Sequence, residues 1–373
     1  MLTIMKYLLA LFLAVLSMTP SAQTVAYRVE TVTGGLEHPW SLAFLPDGRM
    51  LVTERPGRLL VVEPGPDGRL QLRPEAVAGV PPVLARGQAG LFDVLLDPDF
   101  ANNRRLFLSF AHGTPEANHL RVVSARLDGN ELKDLRPIFT SQPAKSDTQH
   151  FGGRMAWLPD GTLIFGMGDG NLERTDAQRL HTHLGKFMRI RPDGTVPADN
   201  PFIKRDGALP EIFSTGHRNP QGVVVVNGVI YTHEHGSRGG DELNRLTAGA
   251  NYGWPITTGG VDYTFARITP YRNLPGITPP LTEWTPSIAP AGMAWYDGPL
   301  FPAWRGNLLV ATLAERSVRR VPMGNDGTPG PQDVLFKELG ERIRDVRMGP
   351  DGAVYLLTDN PQGRVLRVVP GPR

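Results

Sequence analysis

The sequence predicts an all-β fold, a six-bladed β-propeller. Three observations predict it: a turn-plus-strand unit that returns six times, a glycine- and proline-rich composition, and strands built from β-branched and aromatic residues. In the clearest copies a Pro-Asp-Gly turn feeds a strand. Pro46-Asp47-Gly48 leads into Arg49 to Glu54, Pro159-Asp160-Gly161 into Thr162 to Met167, and Pro350-Asp351-Gly352 into Ala353 to Thr358. Proline presets φ, aspartate bonds the backbone two residues on, and glycine accepts positive φ. A variant, Asp97-Pro98-Asp99-Phe100, precedes Arg105 to Phe110. Val223 to Thr232 reads as a hairpin about an Asn227-Gly228 turn. Met293 to Tyr296 and Gly306 to Ala311 form the sixth unit.

The units recur every ~45 to 70 residues, more than the ~40–45 of a compact four-stranded blade. The excess is expected in loops, the longest at residues 168 to 215 and 235 to 290, both rich in Gly, Pro, Asn and His. A pair of β-sandwiches is the competing architecture. Glycine (42) and proline (35) make up about a fifth of the chain, against ~12% in average usage. With 40% hydrophobic residues, that argues for many tight turns and not for disorder.

Met1 to Ala22 reads as a secretory signal, with one positive charge at Lys6, an apolar run from Tyr7 to Leu16, and a small, polar stretch to Ala22. The run is about half of the ~20 residues a membrane span needs. The expectation is therefore an exported, periplasmic protein without stable membrane insertion, whose propeller occupies residues 23 to 373. Export permits disulfides, but the chain has no cysteine, so core packing, with or without metal ions, must hold it. A formal net charge of +2 gives no support for nucleic-acid binding.

Four polar, glycine-containing segments exceed what strands and turns require. In Gln149-His150-Phe151-Gly152-Gly153-Arg154 a histidine precedes a double glycine, which permits close approach of a ligand or another backbone. His150 suits a general base; the plainer alternative is a histidine bonded to its own loop. In Gly216-His217-Arg218-Asn219-Pro220-Gln221-Gly222, Arg218 and Asn219 at a strand mouth suit recognition of a carboxylate or carbonyl. The run from His233 to Glu242, continuing to Asn251-Tyr252-Gly253-Trp254-Pro255, has the carbonyls and acids of a calcium loop. The His233-x-His235 pair makes zinc the competitor, ranked second because no cysteine or third histidine is close in sequence. On a strand, Arg342 and Arg344 share one face and seek anions, while Ile343 takes the other. No dinucleotide-binding glycine loop and no Gly-x-Ser-x-Gly occur.

Taken in order, these segments resemble the glucose/sorbosone dehydrogenase family, in its branch of soluble aldose sugar dehydrogenases that use pyrroloquinoline quinone (PQQ). Leu36 to Gly48 and Gly87-Gln88-Ala89-Gly90-Leu91 also look like that family. The resemblance spans essentially the whole mature chain and implies a six-bladed propeller. It implies His150 as catalytic base, and Gln88, Arg218 and Asn219 as quinone contacts, with Arg218 near the reactive carbonyl. It implies Arg342 and Arg344 as the pair that holds the cofactor, with Tyr263 beside it on a looser motif. It implies the Gly236-Ser237 segment, Glu242 and Tyr252 as calcium (Ca2+) ligands. The partners it implies are an aldose, oxidised at C1 to the lactone, and an electron acceptor whose identity the sequence does not give. Two departures stand out. Glu315, with Arg316 beside it, occupies the place of a lysine that pairs with the cofactor, and Ser237 replaces a proline. The other readings are a calcium-dependent propeller hydrolase, such as a lactonase, and a non-enzymatic binding propeller.

Overall fold

The computed structural model describes residues 26–372. Met1 to Ala22, the segment read as a secretory signal, lies outside them. Among the described residues no helix is long and apolar enough to cross a membrane.

Six four-stranded antiparallel sheets follow one another along the chain. Their first strands are Pro39–Phe44, Leu91–Leu96, Met155–Trp157, Pro220–Val226, Pro290–Tyr296 and Ile343–Met348, defining blades 1 to 6. Each first strand packs on the first strands of its two neighbours, all the way round. The chain is therefore a closed six-bladed propeller. Closure is made by the amino-terminal strand Tyr27–Leu36, which pairs antiparallel with the last strand, Gly363–Pro370, as the fourth strand of blade 6. Sealing the ring with both ends of the chain ties the first blade to the last and leaves no gap between them.

Each of the six units read from the sequence is the hairpin joining the first and second strands of one blade. The turns work as their residues dictate. Asp47, Asp160 and Asp351 accept hydrogen bonds from the amides of Arg49, Thr162 and Ala353 at 3.0–3.2 Å. The glycines that follow take φ of +87°, +77° and +77°.

Six apolar clusters occupy the six blade-to-blade interfaces. Blade 1 shows why. Leu51, Leu59 and Val61 face blade 2, whereas Met50, Val52, Leu60 and Val62 face blade 6. Successive side chains on a strand point to opposite faces, and here both faces are buried. Inner strands therefore read as continuous apolar runs without polar alternation.

One expectation needs correction. Residues 168 to 215 and 235 to 290 are not simply long loops. The first holds Lys186–Ile190 and Ile212–Thr215, and the second Asp241–Leu246 and Thr282–Trp284, the outer strands of blades 3 and 4. These strands are short and interrupted by turns, so no repeat unit betrays them.

Candidate active site

The strand order fixes where chemistry gathers. In every blade the first strand begins, and the second ends, at the same face of the ring. A cavity of about 480 Å³ opens on that face. Gln88, Phe151, Gly152, Asn219 and Arg342 reach it from just ahead of first strands. Arg55, His235, Leu313 and Asp359 reach it from just beyond second strands.

One end of the cavity is built for anions. Arg342 and Arg344 both bond Oδ2 of Asp359, at 3.3 and 2.9 Å. His38 Nδ1 lies 3.2 Å from Oδ1 of the same carboxylate. Burial works against the charge on Asp359, but Arg344 and Arg342 outweigh it and hold the carboxyl far below the usual range. Arg55 lines the same wall, so three guanidiniums face one carboxylate. The Nε atoms of Arg344 here and of Arg218, which lines a smaller adjoining cavity, are buried without a partner. Buried donors of this kind call for an acceptor that the protein does not supply.

His150 is only 4% exposed and adopts left-handed backbone, φ 52°. Its Nδ1 lies 2.7 Å from Oδ1 of Asp169, a fully buried carboxylate just past the second strand of blade 3. Asp169 also accepts from the Asn171 amide at 2.8 Å and from the Trp254 indole at 2.7 Å. Burial raises the carboxyl of Asp169, but the His150 hydrogen bond leads the effects that bring it below its ordinary value. Burial dominates at His150 and lowers its pKa, despite the opposing pull of Asp169. The imidazole is therefore neutral at pH 7. With Nδ1 donating to a carboxylate, Nε2 is left as the acceptor. The amide of His150 donates to Oε1 of Gln88 at 3.0 Å, tying the base to the cavity wall. The double glycine is explained by another backbone and a ring. A Cβ on Gly152 would lie 2.5 Å from the Gly166 carbonyl, and one on Gly153 2.9 Å from the Phe92 ring.

A second, small cavity of about 10 Å³ adjoins the first at His235 and is lined by Arg218, Glu234, Gly236, Glu242 and Trp254, among others. Its size matches one water or one cation. Burial, then repulsion from Glu234, pushes the Glu242 carboxyl up to about 8. A cation there would relieve both costs. Gly236 is crowded by the Gly239 and Gly240 carbonyls, which a Cβ would meet at 2.2–2.3 Å. Among the described residues no group of three or more His, Asp or Glu side chains is arranged to hold a metal. Any cation here would draw on main-chain oxygens, as calcium can. The zinc reading of His233 and His235 finds no support. His233 is fully buried with both ring nitrogens unpartnered, and His235 Nε2 lies 2.7 Å from the Pro290 carbonyl.

The other predicted residues divide. Asn219 lines the large cavity and accepts from Gln221 at 2.8 Å. The Arg218 guanidinium lies 5.4 Å from the Trp254 ring centre and 5.9 Å from that of Tyr263. Tyr263 itself is 60% exposed and lines neither cavity. Ser237 is buried with an unpartnered hydroxyl. The Tyr252 hydroxyl donates to the Arg245 carbonyl and accepts from the Thr247 amide, so only its main-chain carbonyl is left to offer a metal. Arg342 precedes its strand, and Ile343 turns into the core as expected. Glu315 does not line the large cavity; its carboxylate takes Arg319 at 2.6–2.7 Å. Exposed Arg316 bonds the Gly340 carbonyl and does not replace a lysine in the cavity.

Sequence reasoning missed Arg55, Asp169 and Asp359, and reached Trp254 only as part of the calcium-loop segment. Arg55, Asp169 and Asp359 follow second strands in segments that read as ordinary turns. The usable signal is positional: polar residues just past a second strand lie on the same rim as those just before a first strand.

The glucose/sorbosone dehydrogenase family model matches residues 36–367. The aldose sugar dehydrogenase YliI of Escherichia coli is 40% identical, over 94% of this chain and 94% of its own length. The solved apo-form structure of the soluble aldose sugar dehydrogenase from the same organism superposes with a TM-score of 0.88 at 38% identity, covering 92% of this chain and all of that one. A PQQ-bound aldose sugar dehydrogenase from Streptomyces coelicolor superposes with a TM-score of 0.73 at 27% identity, over 92% and 99% of the two chains. The chain belongs to the glucose/sorbosone dehydrogenase family.

Proposed function

We propose that this protein is a PQQ- and calcium-dependent aldose dehydrogenase that oxidises the sugar at C1 to the lactone, with His150 as general base. The observation that carries the reading is the convergence of Arg55, Arg342 and Arg344 in one cavity beside the buried His150–Asp169 pair. PQQ is a planar tricarboxylate, and an arginine-rich cavity of about 480 Å³ with an unpartnered guanidinium N–H on Arg344 suits it in charge and size. Arg342, Arg344 and Arg55 would hold its carboxylates, with Gln88 and Asn219 as polar contacts, Arg218 near its carbonyls and Tyr263 at its edge. Calcium would sit between Glu242 and the Gly236–Ser237 main chain, with the Tyr252 carbonyl as a further ligand. When bound, the quinone supplies the two-electron acceptor for the C1 hydride and the cation polarises its carbonyls.

The chain's own residues do the rest. Nε2 of His150 accepts the proton of the anomeric hydroxyl. Asp169 keeps Nδ1 protonated, fixes the ring, and stabilises the imidazolium once it forms. Trp40, Phe92 and Phe151 give the cavity apolar walls that exclude water and strengthen the polar interactions within it. Oxidation outside the cytoplasm fits the export read from Met1 to Ala22.

The test is to mix apo-protein with PQQ and calcium, add a panel of aldoses, and follow reduction of an artificial dye. Turnover that needs both additions, and is lost when a chelator is present during loading, is the expected result. Absence of turnover together with absence of PQQ binding by calorimetry overturns the reading.

A further inference from the structure

Trp254 belongs to none of the roles assigned so far, yet its main chain is clamped from three sides. Its amide donates to the Gly216 carbonyl at 3.0 Å, and its carbonyl accepts from Gln178 Nε2 at 2.7 Å. Gln178 is locked in turn to Asn251, whose Oδ1 also takes the Gly253 amide at 2.9 Å. Gly253 has no room for a side chain, since a Cβ would lie 1.9 Å from Thr257 Oγ1. The ring so placed is 4% exposed, and its N–H lies 2.7 Å from Oδ2 of Asp169.

Asp169 thus has each oxygen assigned. Oδ1 serves His150 and the Asn171 amide; Oδ2 serves Trp254. We propose that Trp254 is a positioning residue for the base, pinning Oδ2 of Asp169 so that Oδ1 faces Nδ1 of His150 and leaves Nε2 free. This rests on the role given to His150 above, but the arrangement is a property of the unliganded protein.

The indole also sets how strongly Asp169 pulls on the Nδ1 proton. A buried carboxylate with a full set of donors is a weak base, and one that loses a donor becomes a stronger one. Removing the indole N–H therefore favours the imidazolium and raises the pKa of His150. The other charged groups facing His150 are Arg218 and Lys145, which oppose its protonation. His235 is also close, and burial holds it down to about 4. Burial brings Lys145 down to about 8. Trp254→Phe keeps the aromatic face beneath Arg218 and deletes only the donor.

The experiment follows His150 by ¹H–¹⁵N correlation of its ring nitrogens across pH in apo-protein, parent and Trp254→Phe. The expected result is an upward shift of about half to one pH unit in the variant, the size a lost hydrogen bond to a charge can produce. The acid limb of kcat/KM moves the same way in loaded enzyme. An unchanged His150 pKa in a folded variant overturns the proposal and leaves Trp254 as packing. Should the variant not fold, the parent protein decides. The Trp254 indole N–H resonance must move with the His150 titration, and a resonance that stays put overturns the coupling. Failure of the dehydrogenase reading would appear as absent PQQ-dependent turnover, which leaves these resonances readable.

Discussion

The two ends of the same inner hairpins obey different rules. At the turn end, Asp47, Asp160 and Asp351 bond amides two residues away, and each turn is complete within its own five or so residues. At the cavity end, partners are distant in the chain and cross between blades. His150 reaches Asp169 across blade 3, and Asp169 reaches Trp254 in blade 4's outer loop. His38, ahead of blade 1, meets Asp359 of blade 6. The three Pro-Asp-Gly turns place glycine at the positive φ, but Arg104 and Asn227 hold φ of 56° and 49° in the turns of blades 2 and 4, as His38, His150 and Ala289 hold 48–52° ahead of first strands. Left-handed backbone at non-glycine residues costs about 1–3 kcal/mol each and persists where surrounding structure enforces it. The turn end is complete within a few residues and so repeats, while the cavity end depends on partners distant in the chain and does not repeat.

The comparison can be broken most sharply at His150. His150→Ala should lower kcat by about 10²–10⁴, the range for loss of a general base, while PQQ binding by calorimetry stays near that of the parent. Because burial lowers the His150 pKa, its neutral form persists to lower pH than in a free imidazole. The acid limb of kcat/KM in the parent should accordingly have its midpoint below 6.5. Next in size is Arg344→Ala, which removes a guanidinium from the anion end. It should weaken PQQ binding about ten- to a hundredfold, as expected for a charge-assisted hydrogen bond, and raise the dependence on added cofactor more than it lowers saturated turnover. The smallest effect belongs to the turn end. Gly161 has φ +77° and open space around its Cβ position. Gly161→Ala should cost only ~1 kcal/mol of backbone strain, lowering Tm by a few degrees with turnover unchanged. A large loss of activity in that variant would mean that the two ends are coupled.

Much of this was legible in advance. The six hairpins, their turn types and the blade count are short-range facts, readable because Pro-Asp-Gly chemistry and strand periodicity act within ten residues. Asn219, Arg342 and Arg344 stood out as polar groups beside strands and Gln88 came from the family resemblance; all four line the cavity. Glu315 shows the limit. It stands at the place of a cofactor-pairing lysine, but Arg319, four residues on, captures the carboxylate outside the cavity. The short outer strands of blades 3 and 4 were hidden because a three- to six-residue strand carries too little periodicity to stand out among turns.

By itself, then, the sequence determined the repeat, the turns, the apolar inner strands and the candidate base. The tertiary structure alone decided the partners: Asp169 and Trp254 behind His150, Arg55 and Asp359 beside the arginine pair, and the amino-terminal strand that seals blade 6. The physical reason is distance along the chain. A hydrogen bond or ion pair acts over a few ångströms, and His38 and Asp359 come within that range only once the ring has closed and brought residues 321 positions apart to one rim.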